Sequence, residues 1–396
     1  MSRILILGGD GYLGWPVALH FSNLKNDVTV VDNYFRRDIS SNTQYKSLYT
    51  PPDLVSRAKI WHRETGNTIK VVVGDLTDSN LCECLFSGEN LTYNWPKNDF
   101  DFDYPDIVIH FAEQPSAPYS QLSNLTANFT LQNNLLVTNN ILFGMKKYCP
   151  EAHLIKLGTM GEYGTPNIDI EEGWIDIESK GRKDRFLFPR QGGSIYHTSK
   201  IMDTDLIWFA VRTWNLRATD LMQGPVYGVN TNETKIHEDL KTIFNYDEFF
   251  GTIINRFIAQ SVVNYPLTVY GQGNQSRGYL NIIDCIQCIE IASKNPPENG
   301  KLEIFNQIME TLSVNQIALM IKKVGDDMGL NVQIKPVINP RVESENHYYN
   351  PIYSGLKQLG VEPTLLSEDI IREIILFVSK YKSNIDKKII FNGSKW

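Results

Sequence analysis

Cysteine is scarce in this chain: five among 396 residues, an odd number scattered along a long sequence. That excludes the disulfide framework that staples small secreted domains. Cys82 and Cys84 lie in SNLCECLF, and Cys285 and Cys288 in DCIQCIEIA. Both segments have amphipathic helical spacing, where cysteine serves as a small hydrophobe. No histidine stands beside either pair at ligand spacing, so no metal site is expected. Long apolar runs are missing too, and without 18 consecutive apolar residues no helical membrane span is expected. Basic residues are outnumbered, 38 Lys and Arg against 45 Asp and Glu, for a net charge of −7. This balance excludes a chain-wide nucleic-acid surface. Any anion must be met by a few well-placed basic groups. Internal repeats and low-complexity tracts are also absent, and no charged-then-apolar leader precedes Arg3-Ile4-Leu5-Ile6-Leu7, so a cytoplasmic protein is expected.

What is present suits a large packed core: 42% of residues are hydrophobic and 21% charged, which excludes global disorder. The first 160 residues alternate short β-branched runs with helical stretches, the pattern of a parallel sheet. The spacing predicts strands at Ile4–Leu7, Val28–Val31, Ile69–Val73, Ile107–His110 and His153–Leu157. It predicts helices at Gly14–Leu24, Leu54–Thr65 and Asn134–Tyr148. The expected class is α/β, a doubly wound parallel sheet. Thr165–Ser194 reads as a charge-rich insertion, a hairpin or lid. Beyond it the pattern loosens, with a strand at Leu267–Tyr270 and a helix around Glu368–Lys382. We expect a nucleotide-binding domain over 1–225, the 165–194 insertion included. A smaller mixed α/β substrate-binding lobe is expected over 226–396, with elements returning to the sheet.

Gly8-Gly9-Asp10-Gly11-Tyr12-Leu13-Gly14 follows the first strand directly and opens a helix. Glycines at 8, 11 and 14 permit a tight turn and close approach of backbone to a pyrophosphate, which the helix N-terminus then meets. Asp32 closes the second strand, where a carboxylate accepts from ribose hydroxyls and repels a 2′-phosphate, favouring NAD. Asn33 adjoins it, and Arg36 and Arg37 follow, suited either to adenosine or to the extra phosphate of NADP. Asp75 and Leu76, just past the third strand, are placed to meet the adenine. Further on, Tyr196-His197-Thr198-Ser199-Lys200 sets a tyrosine and a lysine on one helix face. A neighbouring ammonium stabilises a phenolate and would lower the tyrosine pKa, making it a general base toward a hydroxyl. Thr159 can polarise the same oxygen.

These residues resemble the extended short-chain dehydrogenase/reductases, a family with a Rossmann sheet that works on nucleotide-sugars. His110-Phe111-Ala112 after the fourth strand and Asn134-x-x-x-Thr138 at a helix start fit its pattern. So do Gly271-Gln272-Gly273 with Arg277-Gly278-Tyr279, and Asn339-Pro340-Arg341-Val342-Glu343. The resemblance implies hydride transfer between a sugar carbon and tightly held NAD, with Phe111, Ala112 and Asn134 joining the cofactor site. It implies that Arg277 and Arg341 hold the diphosphate and that Gln223 and Asn255 hold uridine or ribose. It also implies a homodimer. In the family's 4,6-dehydratases the threonine is followed by aspartate and glutamate, whereas here the run is Thr159-Met160-Gly161-Glu162. The block GTMGEYGTPNIDIEEG at residues 158–173 is similar to a branch that joins UDP-glucose to sulfite, with Pro115 standing where its plant-type members carry arginine. That branch implies Glu162 and His197 for proton transfer at C5 and C6. It also implies Met160 and Gly161 against the sugar, Gln114 and Ser194 on sulfite, and a sulfite-donating protein as a further partner. A UDP-sugar 4-epimerase or 4,6-dehydratase-like enzyme that uses no sulfite, and a non-catalytic NAD-sensing scaffold, stay open as alternatives.

Overall fold

β-branched runs of four to seven residues are suited to strands buried on both faces, and helices must then cover both sides. The computed structural model describes residues 1–42, 46–96, 104–339 and 348–390. The chain begins β1 (Arg3–Leu7), α1 (Gly14–Asn23), β2 (Asp27–Asp32), α2 (Phe35–Asn42), α3 (Leu54–Thr65), β3 (Ile69–Val73) and α4 (Ser79–Ser87). It continues through β4 (Ile107–His110), α5 (Asn124–Tyr148), β5 (His153–Thr159), β6 (Trp174–Ser179), β7 (Arg182–Leu187), α6 (Ile195–Trp214) and β8 (Arg217–Gln223). Next come β9 (Val226–Tyr227), α7 (Ile253–Val262), β10 (Leu267–Tyr270), β11 (Ser276–Asn281), α8 (Ile282–Lys294) and β12 (Leu302–Gln307). β13 (Glu310–Ser313), α9 (Val314–Asp327), β14 (Ile334–Val337), α10 (Gly355–Gln358) and α11 (Glu368–Lys380) complete it.

The main sheet has the order β12-β8-β5-β4-β1-β2-β3, every neighbour parallel. Strand order reverses between β1 and β4, where doubly wound sheets open a crevice at their carboxyl ends. Leu7 aligns with Val31 on one side and His110 on the other, so the chain leaves these three strands at one level. Trp15 and Leu19 of α1 and Trp61 of α3 fill the apolar layer on one face. Ile141 and Met145 of α5 and Ile207 of α6 fill the other. A third cluster joins α7, α9 and α11 in the second half. There β13-β11-β9 and β10-β14 form small sheets, while β12 crosses back to pair with β8.

The insertion folds as an exposed antiparallel hairpin, β6 against β7, with Asp176 opposite Arg185 and Glu178 opposite Lys183. Its two-residue turn, Lys180-Gly181, has φ of 52° and 77°, the positive values a tight hairpin requires. One helix differs from expectation: α5 begins at Asn124, ten residues before Asn134, which lies within it. Ser123 and Thr126 cap that start reciprocally, a box in which threonine replaces the usual glutamate or glutamine. No helix of the described residues is long and apolar enough to cross a membrane, and among them no His, Cys, Asp and Glu cluster could hold a metal.

Candidate active site

β1 ends at Leu7 and the chain turns at Gly8, with φ of 89°, while the Gly11 amide donates to the Gly8 carbonyl at 3.3 Å. A Cβ on Gly14 would overlap that carbonyl oxygen and lie 2.9 Å from its carbon. The turn is thus a cradle that side chains would fill, leading into the α1 N-terminus and its oriented amides. This fits a dinucleotide pyrophosphate. Asp32 accepts from the Asp10 amide at 2.9 Å and the Tyr34 amide at 2.7 Å. Burial, and secondarily Asp10, push its carboxyl up to about 6. Asp75 accepts from Thr77 and Asn33, bonds that hold it below the usual carboxylate range despite the opposing effect of partial burial. The two arginines divide. Arg37 pairs with Asp10 at 2.6 Å and donates to the Pro51 and Pro52 carbonyls at 2.8 Å, which takes it away from a 2′-phosphate role. Arg36 faces the cavity with its guanidinium 3.3 Å over the Phe250 ring, and burial pulls it down to about 10.

A cavity of about 570 Å³ opens at this crevice. On its wall stand Gly8, Gly11, Tyr12, Leu13 and Gly14; Asp32, Asn33 and Arg36; Asp75 and Leu76; and Phe111 and Ala112. Thr159, Tyr196, His197 and Lys200 share it, with Gln223, Asn255 and Arg277 from later in the chain. Tyr12 also ties the halves together, its hydroxyl donating to the Gly228 carbonyl at 2.7 Å. Arg341 lies outside the described residues.

Six expected residues are not on that wall, each for a visible reason. Asn134 accepts from the Gln114 amide at 2.8 Å and donates to the Ser199 hydroxyl at 3.0 Å, so it braces α5 against α6 while Asn133 takes the wall position. Gln114 is fully buried, its side chain donating to Thr130 and accepting from the Ser116 amide. Ser194 caps α6, accepting from the His197 amide at 3.0 Å. Met160 belongs to an apolar layer. Glu162 is fully buried: it accepts from the Thr159 amide at 3.2 Å and lies 3.4 Å from Lys156 Nζ, with Arg190 at 3.7 Å. It positions Thr159 from behind. Gly161 lies against His197, where a Cβ would overlap ring atom Nε2 and sit 3.0 Å from Cε1. This explains the departure from the dehydratase pattern, because the histidine occupies the space an acid at 161 would need.

Tyr196 and Lys200 are one turn apart on α6, but the ammonium is engaged elsewhere. Lys200 Nζ donates to the Glu113 carboxylate and to the Leu157 carbonyl. Burial first, then Glu113 and Glu162, push the Tyr196 phenol up from its usual range, the reverse of the lowering expected from Lys200. Thr159 accepts from the Gly161 amide at 3.2 Å and keeps its own proton to donate. Sequence reasoning missed Glu113, Asn133, Arg256 and the irregular stretch 242–252. Thr242 donates to the Tyr12 carbonyl at 2.8 Å and Ser116 to that of Phe249 at 2.5 Å, laying the stretch across the cradle. Arg256, buried on α7, donates to the Tyr270 hydroxyl at 3.0 Å, and both line the cavity. An arginine next to Asn255 in an acidic chain was the available signal.

The profile of the NAD dependent epimerase/dehydratase family matches residues 4–306. The chain is similar to the chloroplastic UDP-sulfoquinovose synthase of Spinacia oleracea, 46% identical over 395 residues, which is 100% of this chain and 79% of that protein. It is 38% identical to UDP-sulfoquinovose synthase of Sulfolobus acidocaldarius, over 100% of this chain and 97% of the relative. In fold it resembles UDP-glucuronic acid 4-epimerase from Bacillus cereus, solved with UDP-glucuronic acid and NAD, at a TM-score of 0.68 and 18% identity. That likeness covers 96% of this chain and 99% of the epimerase.

Proposed function

Because the chain belongs to the NAD dependent epimerase/dehydratase family, we propose that it is an NAD-dependent enzyme that makes UDP-sulfoquinovose from UDP-glucose and sulfite. One observation carries this: identity of 46% and 38%, along the whole of this chain, to two UDP-sulfoquinovose synthases, against 18% to a UDP-sugar 4-epimerase of the same fold. The glycine cradle, Asp32 and Asp75 would hold NAD, which supplies reversible hydride acceptance when bound. The 1–225 part then carries the cofactor and the 226–396 part the UDP-sugar, with Arg277 and Arg256 facing the anionic diphosphate.

The chain's own residues account for the proton movements. Tyr196 takes the proton of the 4-hydroxyl as C4 is oxidised, with Thr159 donating to the same oxygen. A ketone at C4 acidifies the C5 hydrogen, so a weak base suffices to remove it. His197 faces the cavity, where an imidazole can take that proton and protonate the departing 6-hydroxyl. Hydrogen sulfite then adds to C6 through its sulfur while its proton replaces the one lost from C5, water is the by-product, and Tyr196 returns its proton to O4 as C4 is reduced. Glu162 supports Thr159 and transfers no proton. A homodimer through α5 and α6 and delivery of sulfite by a donor protein belong to the same reading.

The test is incubation of purified protein with UDP-glucose and radiolabelled sulfite. A labelled UDP-sugar is expected, with none from the Tyr196→Phe protein, and deuterium from heavy water should enter C5. Conversion of UDP-glucose without label would instead make the protein an epimerase or dehydratase. Binding of NAD without turnover would make it a scaffold.

A further inference from the structure

Lys156 stands in the middle of β5 with its side chain fully buried. It aligns with Asp220 on β8, so the two side chains leave the sheet on one face, the face that α6 covers. Their neighbours there are apolar, Leu154 on β5 and Ala218 and Met222 on β8. A methionine would fill the place of such a lysine. Replacing buried ion pairs by apolar groups of like volume is often neutral or stabilising, so stability alone does not account for the charge.

Its contacts do. Lys156 Nζ donates to the Thr204 hydroxyl at 2.8 Å and to the Lys200 carbonyl at 3.3 Å, both on α6. It also lies 3.3 Å from Asp220 and 3.4 Å from Glu162 Oε1, the oxygen that accepts from the Thr159 amide. The grip is returned, because Lys200 Nζ donates to the carbonyl of Leu157, the next residue of β5. Gly158 keeps the junction open: a Cβ there would stand 2.5 Å from Asp220 Oδ1 and 3.2 Å from Glu162 Oε1. One ammonium thus touches the α6 backbone a turn beyond Tyr196 and also the carboxylate that holds Thr159. We propose that Lys156 is a positioning residue of this site: by holding α6 at Lys200 and, through Glu162, the Thr159 amide, it sets the gap between Thr159 and Tyr196 in which one sugar oxygen is gripped from both sides. The inference rests on the roles given to those two residues above, and it makes C4 oxidation, not binding, the step that depends on Lys156.

The experiment follows deuterium entering C5 of UDP-glucose from heavy water, with and without sulfite, an exchange that C4 oxidation must precede. The double variant K156M/D220N removes one positive and one negative group together and leaves Arg190, 3.7 Å away, as the partner of Glu162, so no buried charge is stranded. It should bind NAD and UDP-glucose within about threefold of wild type and exchange about a hundredfold more slowly at saturation. Deuterium placed at C4 should slow it more than it slows wild type, because the damaged step is the one that breaks the C4–H bond. Asp220→Asn alone keeps Lys156 and should exchange about tenfold or more faster than the double variant. Thr204→Val keeps the shape of α6 but strips Lys156 of its shortest bond, and should lower the saturated rate by about five- to tenfold even if the double variant does not fold. A double variant within about threefold of wild type, an equal loss in Asp220→Asn, a loss confined to binding, or an unslowed Thr204→Val would overturn the proposal. Wild-type protein that exchanges C5 yet takes up no sulfite keeps the role of Lys156 and loses the substrate, whereas one that exchanges nothing under either condition overturns both.

Discussion

A carboxyl raised to about 6 at the end of β2 makes cofactor affinity a function of pH. The fold disfavours the charged form of Asp32, whereas ribose hydroxyls donating to it favour that form, so binding draws its pKa below 6. NAD affinity should therefore climb as pH rises to 6 and level off above it, with about a fivefold loss from pH 6 to pH 5. Calorimetric titration of cofactor-stripped protein checks this, and Asp32→Asn should bind weakly without that slope. At this scale the sequence told much about Asp32, because its place after a strand and beyond a glycine turn has one chemical meaning. It told little about Arg37 or Glu113. Arg37 is claimed by Asp10 in the glycine turn. Glu113 matters through a lysine 87 positions away, a pairing that no local spacing records.

Among the elements, α6 carries Tyr196 and His197, the residues proposed for acid–base work, and is held at its start by Ser194. That hydroxyl accepts from the His197 amide, so its work is to start the helix and set the direction of His197 and Tyr196. Ser194→Ala should lower stability by about 1 kcal/mol. It should reduce kcat more than it raises the KM for sulfite, whereas Ser194→Asp should restore the cap and most of the kcat. Thermal unfolding with steady-state kinetics separates the two effects, and a KM effect alone would return Ser194 to the sulfite pocket. The strands were legible because β3, β4 and β10 are bounded apolar runs. The start of α5 was not. Its cap is a serine answered by threonine, and its first turns expose Leu125 at 79% while burying polar Thr130 and Asn134. The stretch 242–252 has no period at all, since its backbone bonds and apolar side chains serve the cavity and not a regular element.

On the scale of the whole molecule, α5 and α6 pack together and leave Leu136, Phe143, Met202 and Phe209 between 42% and 51% exposed. Phe143 and Phe209 both stand edge-on to Trp214, 4.9 and 5.4 Å between ring centroids, an aromatic cluster suited to burial in a partner. Phe143→Glu with Phe209→Glu should convert a dimer to a monomer in analytical ultracentrifugation while NAD binding persists. If the native protein sediments as a monomer, the homodimer is wrong. β12 bears on how such a protein is made. Residues 302–307 are the outermost strand, laid against β8, so a nascent chain that has emerged only as far as Gln223 presents β8 as an open edge to its neighbours on the ribosome. Synthesis must run on through much of the second half before that edge is sealed. The timing of translation therefore governs how long β8 stays open to pairing with another chain.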